Sequence, residues 1–246
     1  MLLIVTMVLL GFVLGFVGAG GSGFIIAILV TIFHIPVHTA LGTAVSVMLF
    51  SVLSGSWSHF REGNLYLKEG LIVGLFGGIG AFFGTRLTVF IDPNVLMFFT
   101  MTVLVISAVL LWLKTRVNIR VEEERTNPAV LGYSLIGLGN GLISGTFGIG
   151  AAPFIQLSLI KWLHFPMRFA AGTTMLVIVP ISMFASAGYI VNGYFDTLLF
   201  LKVALGTIVG TYIGAKLTKK LPQVLLRYGM VITPIASAII LLINFL

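Results

Sequence analysis

A glycine-rich block near the start of the chain recurs 130 residues later without an insertion or deletion. Its landmarks and their counterparts are Gly11, Gly15, Gly18, Gly20 and Phe24, and Gly141, Gly145, Gly148, Gly150 and Phe154. The same offset relates His34, Pro36, Ala40, Gly42 and Thr43 to His164, Pro166, Ala170, Gly172 and Thr173. Such landmarks do not match at one fixed offset by chance, so the sequence predicts two copies of one folding unit.

The composition indicates that lipid surrounds most of the chain. Of its 246 residues, 59% are hydrophobic and only 9% are charged, and the mean hydropathy is +1.16. A helix needs about 20 apolar residues to cross the ~30 Å hydrocarbon layer of a bilayer. Stretches of that length lie at 39–60, 70–91, 94–113, 169–191, 197–215 and 224–245. We therefore expect an all-α polytopic membrane protein.

The polar residues exclude several classes of function. The net charge of +7 does not indicate nucleic-acid binding, because the basic residues lie in short loops between apolar runs. The chain has no cysteine, which excludes disulfides and thiolate metal sites. Four scattered histidines without carboxylates make a poor metal site, so neither a metal nor another cofactor is expected. All acidic residues lie at or beyond the ends of apolar stretches, which excludes a carboxylate proton relay at mid-membrane.

Each copy begins with two short apolar pieces separated by glycine, 2–17 with 24–33 and 129–146 with 154–163. Each pair is either a hairpin that returns to its starting side or one broken crossing. Hairpins place every Lys and Arg except Arg86 and Lys202 on one side, whereas broken crossings divide the 14 basic residues equally. Because cytoplasmic loops are enriched in Lys and Arg, we predict hairpins, inverted-topology repeats and both termini outside the cytoplasm.

This topology divides the chain into three parts. Residues 1–113 form an N-terminal transmembrane repeat, 114–127 a cytoplasmic linker, and 128–246 a C-terminal transmembrane repeat. Each repeat is expected to contain a Gly-broken re-entrant helical hairpin and three transmembrane helices. The linker is interpreted as a solvated connector between the repeats, with a regulatory or partner-binding loop as the alternative.

Two glycine-rich runs, 18–23 and 148–153, predict interruptions of a helix near mid-membrane. Clustered glycine costs a helix up to ~1 kcal/mol per residue relative to alanine, and Pro153 suits the first turn of a new helix. Two half-helices that direct their N-termini at one buried spot would create a positive potential suited to a small oxyanion. The alternative is that these glycines only allow crossing helices to pack closely.

The order of the motifs resembles that of the sulfite exporter TauE/SafE family of membrane permeases. In both halves a glycine series precedes an apolar run, which is followed by His-x-Pro, Ala-x-Gly-Thr and a lone glycine, Gly63 or Gly193. Ala151, Ala152 and Pro153 stand where the family usually has glycine. The first half differs from the typical pattern at Val17, Ala19 and Ser22. The resemblance implies export of small sulfur-containing anions, such as sulfite or sulfonates, across a bacterial inner membrane.

The candidate substrate-binding residues are grouped around the two interruptions. They are Gly18, Gly20, Gly21, Ser22, Thr43, Gly148, Gly150, Ala151, Gln156 and Thr173. The hydroxyls of the two threonines can either cap the backbone or donate to an anion. Gln156 brings a primary amide into an apolar half-helix, where polar groups tend to be functional.

The histidines occupy positions near the ends of apolar stretches. His34 and His164 precede proline at the loop end of each half-helix. They are interpreted as interfacial residues, with proton transfer or gating as the alternative. His38 and His59 are interpreted in the same way.

These observations favour a secondary transporter without enzymatic activity. An enzyme would need a nucleophile with its base, or a metal cluster, and neither is found at mid-membrane depth. The hypothesis is a permease or exporter of a small inorganic or organic sulfur oxyanion, with one repeat moving against the other. The alternatives are a sodium- or proton-linked carrier of another small solute and a non-transporting membrane assembly protein. The expected partners are the anion and the lipid bilayer, with no nucleic acid and with a homodimer permitted.

Overall fold

The computed structural model describes residues 1–17, 21–116, 130–218 and 223–245, and these parts contain ten helices and no strand. The helices of the first half are α1 (Leu2–Val17), α2 (Ser22–Thr31), α3 (Val37–Arg61), α4 (Leu67–Thr88) and α5 (Pro93–Arg116). Those of the second half are α6 (Val130–Phe147), α7 (Ala152–Leu163), α8 (Met167–Val191), α9 (Thr197–Thr218) and α10 (Gln223–Phe245). The expected all-α fold is confirmed. Helices satisfy the backbone internally, which lipid requires.

Six helices of the described chain are long and apolar enough to cross a bilayer. Their segments are Val37–Arg61, Leu67–Thr88, Pro93–Leu113, Val130–Phe147, Met167–Val191 and Thr197–Gly214. The sequence analysis predicts the same number, but it treats α6 as a short piece and α10 as a full span. α6 is long enough by itself, with 18 residues, whereas the apolar part of α10 among the described residues is Val231–Ile243.

The two halves repeat each other in their secondary structure. α3 and α8 begin and end at positions that differ by 130, and so do α4 and α9. Gly63 and Gly193, which follow α3 and α8, both adopt positive φ, at 66° and 77°. The next residue in each case donates its N–H to the carbonyl five positions earlier, at 3.0 Å. Both are helix ends of the kind in which a left-handed glycine terminates the helix.

Glycines hold two pairs of helices at close range. In α6 a methyl group on Gly141 would collide with the Gly77 carbonyl of α4, and in α9 one on Gly210 would collide with the Val8 carbonyl of α1. The four-residue glycine spacing thus allows backbone-to-backbone packing, as predicted. Both contacts join a helix of one half to a helix of the other. The halves are therefore interlocked.

The contacts along α3 and α8 give their relative direction. Gly42, near the start of α3, packs against Tyr189 and Tyr194 at the end of α8. Gly172, near the start of α8, packs against His59 and Asn64 at the end of α3. The two counterpart helices therefore run antiparallel.

The helix before the predicted linker extends into it. α5 continues through Lys114 to Arg116, so the first residues of the predicted 114–127 segment belong to a helix. Helix formation continues here because the segment up to Arg116 contains neither glycine nor proline after Pro93. The remainder of the linker lies outside the described residues.

Candidate functional site

The second half contains a break in the helix at the predicted position. α6 ends at Phe147, Gly148 and Ala151 adopt positive φ at 63° and 46°, and α7 begins at Ala152. Pro153 occupies the first turn of α7, where its missing N–H leaves no helical bond unmade. The chain therefore reverses its course around 148–151 through left-handed residues rather than continuing the helix.

α7 returns along α6. The side-chain amide of Asn140, two turns before the end of α6, lies 3.5 Å from Ser158 Oγ near the middle of α7. Lys161 and Trp162, at the end of α7, line the same cavity as Leu135, which lies near the start of α6. Together the two helices form a hairpin, and its tip lies inside the bundle.

The first half has a corresponding helix start. α1 ends at Val17 and α2 begins at Ser22, which is the counterpart of Ala152. Gly21 caps α2, because its carbonyl accepts the N–H groups of Phe24 and Ile25 at 3.1 and 3.2 Å. The N–H groups of Ser22 and Gly23 precede these bonds and have no acceptor within the helix. The predicted site residues Gly18 and Gly20 lie outside the described residues.

The two helix starts meet in the interior. The main-chain N–H of Gly150 donates to Ser22 Oγ at 3.2 Å, and both residues are buried. Gly150 also packs on Met48, the twelfth of the 25 residues of α3. The meeting point therefore lies beside the first half of α3, whose Leu41 packs against Gly148 and whose Met48 packs against Gly150. Two helix N-termini in a low-dielectric interior give this point a positive potential.

A cavity of about 230 Å³ lies against both helix starts. Gly21 and Gly23 line it from α2, and Gly150, Ala151 and Gln156 line it from the second break and α7. The remaining walls come from α3, α5, α8 and α10, through residues that include His59, Ser107, Thr174 and Ser237. A pocket for a drug-sized ligand has roughly 300–1,000 Å³, so this cavity suits a smaller solute.

A second cavity, of about 420 Å³, reaches the helix starts from between α3 and α9. It shares Gly21 and Met175 with the first cavity, and Ser22 also lines it. Hydroxyl groups on its walls come from Ser51 and Ser54 of α3 and from Thr207 and Thr211 of α9. Ser51 and Ser54 are exposed, so this cavity extends to the surface of the bundle.

The corresponding space between α4 and α8 is filled. On α4, Gly74 and Gly78 bring the backbone against Pro180 and Phe184 of α8, and methyl groups on them would lie 3.1 and 2.9 Å away. The counterpart of Gly78 on α9 is Ile208, a bulky residue that is half exposed. The difference in residue size explains why one helix pair is closed and the other is open.

The structure brings about half of the predicted site residues together. Gly21, Gly150, Ala151 and Gln156 line the first cavity, and Ser22 bonds to Gly150 beside it. Gly148 instead forms the left-handed turn behind the tip, with Leu41 packed against it.

The two predicted threonines lie outside both cavities. Thr173 Oγ1 accepts the N–H of Tyr66 at 3.0 Å and so supports the start of α4. Thr43 is fully buried near the start of α3, and its hydroxyl has no partner among the described residues. Thr173 has the backbone role that the sequence analysis left open, because Tyr66, 107 residues away in sequence, presents an N–H to it.

His34 and His164 terminate the half-helices. Both have positive φ, at 51° and 52°. The residue after each donates to a carbonyl in the last turn of its half-helix, Ile35 to Leu29 at 3.0 Å and Phe165 to Leu159 at 3.1 Å. They lie at the far ends of α2 and α7 from the cavity, and proton transfer or gating by them stays a prediction.

Two residues of the cavity wall were missed by sequence reasoning. His59 Nδ1 and Ser107 Oγ are buried and have no hydrogen-bond partner among the described residues. His59 precedes the charged end of α3 and resembles an interfacial residue in sequence. The sequence does contain one indication of its position. Its counterpart in the second copy is Tyr189, and a polar aromatic residue in both copies indicates an inward-facing position.

The interlocked helical bundle and its buried site identify a multi-pass membrane transporter class. The chain belongs to the sulfite exporter TauE/SafE family, whose model matches residues 3–241. It is therefore a membrane transporter with a small-solute substrate, rather than an enzyme.

The curated relatives share this class. The chain is 47% identical to the probable membrane transporter protein YdhB of Bacillus subtilis over 246 residues, which are 98% of this chain and 100% of YdhB. A probable membrane transporter protein of Xylella fastidiosa is 27% identical over 242 residues, covering 94% and 91% of the two chains. One from Methanocaldococcus jannaschii is 26% identical over 247 residues, covering 92% and 91%. No solved structure matches the chain.

Proposed function

We propose that this chain is a secondary carrier of a small sulfur-containing oxyanion, such as sulfite or an organosulfonate, and that the anion binds where the two half-helices begin. The single observation that carries the proposal is the bond between Gly150 N–H and Ser22 Oγ, which puts both helix N-termini at one buried point. Helix N-termini stabilise anions through free N–H groups and through the helix dipole. The family description, sulfite exporter, supports the choice of anion.

The electrostatics of the cavity favour an anion over a cation. Its walls among the described residues are Gly, apolar side chains, hydroxyls, the Gln156 amide and His59, with no carboxylate. A cation at this point would face two positive helix ends without a compensating charge. The volume of about 230 Å³ leaves room for one small anion and a few water molecules.

The helix directions support an inverted arrangement of the two repeats. α3 and α8 are counterparts and run antiparallel, as a half-turn about an axis in the membrane plane requires. With this arrangement, the excess of Lys and Arg at the Arg61 end of α3 indicates that this end faces the cytoplasm. Both termini then lie on the opposite side, and the family description suggests the inner membrane of a bacterium.

Access to the site among the described residues lies between α3 and α9, where the larger cavity leads from the surface to Ser22. At the end of the bundle where α3 begins and α4 stops, hydrogen bonds join α3, α4, α6 and α8. We call the residues that take part in them the end cluster; they are His38, Thr88, Thr146, Tyr189 and Asn192.

The end cluster consists of buried donors matched to backbone carbonyls. Tyr189 OH donates to the Gly145 carbonyl at 2.8 Å, and Asn192 Nδ2 donates to the Thr85 carbonyl at 2.8 Å. A carrier must close one end while the other is open, and the movement of one repeat against the other exchanges them. In the proposed topology, the end cluster lies at the outer end of the bundle.

Flux into proteoliposomes tests the proposal. Purified protein should give saturable flux of radiolabelled sulfite, sulfoacetate or thiosulfate, above that of empty liposomes and of chloride. A sodium gradient without any sulfur anion is the matched arm, because flux in that arm alone would favour a cation-linked carrier. Correctly folded protein that moves none of the three anions would contradict the proposal.

A further inference from the structure

Ser107 and Ser144 are buried serines whose hydroxyls have no partner among the described residues, and of the two only Ser107 belongs to the wall of the first cavity. Ser134, Ser182 and Ser237 each donate their hydroxyl to the carbonyl four residues earlier, at 2.8 Å. This bond is the usual means by which serine is accommodated in a membrane helix. Ser107 is only 3% exposed, its hydroxyl has no partner among the described residues, and the residue belongs to the wall of the first cavity. A buried hydroxyl without a partner costs free energy unless a ligand or water completes it.

His59 presents a second such group to the same cavity. It lies on α3 two residues before Arg61, and a methyl group on Gly172 of α8 would lie 3.1 Å from its Cβ. Its Nδ1 is buried without a partner among the described residues, and the residue belongs to the cavity wall.

The counterpart of His59 in the second copy uses its polar group differently. Tyr189 occupies the equivalent place in the second copy, is fully buried, and donates its hydroxyl to the Gly145 carbonyl. That hydroxyl is bonded within the protein, whereas Nδ1 of His59 has no partner among the described residues. The same position of the repeat therefore helps to close one end of the bundle as Tyr189 in the second copy. In the first copy, as His59, it forms part of the cavity wall.

From this geometry we infer that His59 and Ser107 are substrate-binding residues, and that together with the half-helix starts they recognise an –SO3 group. The inference rests on the proposed function and specifies its ligand contacts. Donors reach the cavity from three separate parts of the fold: α3 supplies His59, α5 supplies Ser107, and the starts of α2 and α7 supply main-chain N–H groups. Sulfite and sulfonates carry three oxygens on one sulfur, so each donor group has an acceptor. Chloride offers a single centre, and a carboxylate offers only two oxygens.

The test uses sulfite and methanesulfonate as probes on the full chain. The S107A and H59Q variants should each raise the KM for sulfite flux roughly ten- to hundredfold, with a smaller change in kcat, because each loses one hydrogen bond to a charged ligand. Both should also lose the rise in apparent Tm that sulfite and methanesulfonate give the wild type, measured against chloride, acetate and phosphate at equal ionic strength.

Conservative and control variants separate binding from folding. H59N places an amide nitrogen close to the position of Nδ1, whereas H59Q places it near Nε2, so H59N should recover most of the lost affinity. The matched controls are T102A on α5 and S58A on α3, since both residues are exposed and lie outside the cavity wall. They should behave as the wild type does.

The outcomes distinguish this inference from the proposed function. If the wild type moves sulfite while folded S107A, H59Q and H59N keep its KM and its ligand-dependent Tm, the inference is wrong and the proposed function stands. If the wild type neither binds nor moves any –SO3 compound, both are wrong. A Tm rise that acetate or phosphate matches would overturn the –SO3 selectivity.

Discussion

The main-chain N–H of Gly150 lies 3.2 Å from the hydroxyl oxygen of Ser22, and this bond joins the two interrupted helices of a duplicated chain. Each partner belongs to a different copy and stands at or next to the start of its half-helix. A bundle in which these starts lay apart against lipid would have no buried positive point. The bond therefore has testable consequences for both stability and transport.

Replacing Ser22 should weaken this junction. S22A leaves the buried N–H of Gly150 without its acceptor, so we expect a loss of about 1–3 kcal/mol in stability and a lower sulfite flux. The matched control is S134A, because the Ser134 hydroxyl bonds only within its own helix, to the Val130 carbonyl. Thermal unfolding and flux of the two variants give the comparison. Equal effects of S22A and S134A would show that the junction is not important.

Two neighbouring glycines of α6 should respond oppositely to alanine. A methyl group on Gly141 would collide with the Gly77 carbonyl, so G141A should destabilise the fold by about 2–4 kcal/mol or abolish its expression. Gly139 has nothing within 4 Å, so G139A should be neutral or stabilise the helix by up to ~1 kcal/mol. Yield and thermal unfolding in detergent measure both. Similar behaviour of the two variants would contradict the close packing of α4 and α6.

The end cluster should hold one end of the bundle closed. Y189F removes the donor to the Gly145 carbonyl, which should cost about 1 kcal/mol and increase the population of the form open at that end. Because the chain has no cysteine, S46C provides a single label near this end, where Ser46 is only 3% exposed.

Labelling of S46C by a membrane-impermeant reagent added from outside should be faster with Y189F than without it. Y194F is the matched control, since the Tyr194 ring stacks on His38 and the substitution retains that ring. An unchanged labelling rate in Y189F would show that Tyr189 does not help to close this end.

The histidine at the end of α2 should be replaceable by glycine. His34 has φ of 51°, a conformation that costs a non-glycine residue roughly 1–2 kcal/mol. H34G should therefore be neutral or slightly stabilising with full transport, whereas H34V should destabilise by about 1–2 kcal/mol. Flux of H34G decides the role of this residue: normal stability with lost transport would favour the predicted proton or gating role over the structural one.

The inverted topology can be tested with single cysteines in the exposed loops. E62C and R168C should both label from the cytoplasmic side, and N94C should label from outside. Glu62, Arg168 and Asn94 are exposed, whereas Asn64 beside them is buried and would label poorly for that reason alone. Labelling of E62C and R168C from opposite sides of oriented membranes would restore the parallel arrangement of the repeats.

Much of the architecture could be predicted because it depends on local properties of the chain. Apolar runs in lipid must form helices, and a glycine such as Gly63 must end one where the backbone turns left-handed. In the same way, the glycines within 148–151 and the following Pro153 predicted the break between α6 and α7. The exchanged lengths of α6 and α10 show that apolarity locates helices better than it locates their ends.

The composition of the site was harder to predict because it depends on distant neighbours. Thr173 was a candidate ligand until Tyr66, 107 residues away, placed an N–H on its hydroxyl. His59 was taken for an interfacial residue, yet the structure places it in the wall of the first cavity. A polar residue in an apolar helix has a few possible partners, and sequence alone does not rank them.

The sequence by itself determined that this chain is a duplicated, helical membrane protein with an interruption in each copy, because hydropathy, repeat offset and glycine spacing are properties of the order of residues. Only the tertiary structure decided that the interruptions meet, that α3 and α9 leave a passage while α4 and α8 do not, and which polar atoms face the cavity. These features arise from close packing between segments far apart in the chain, where a difference of one side chain, such as Gly78 against Ile208, separates a closed contact from an open one.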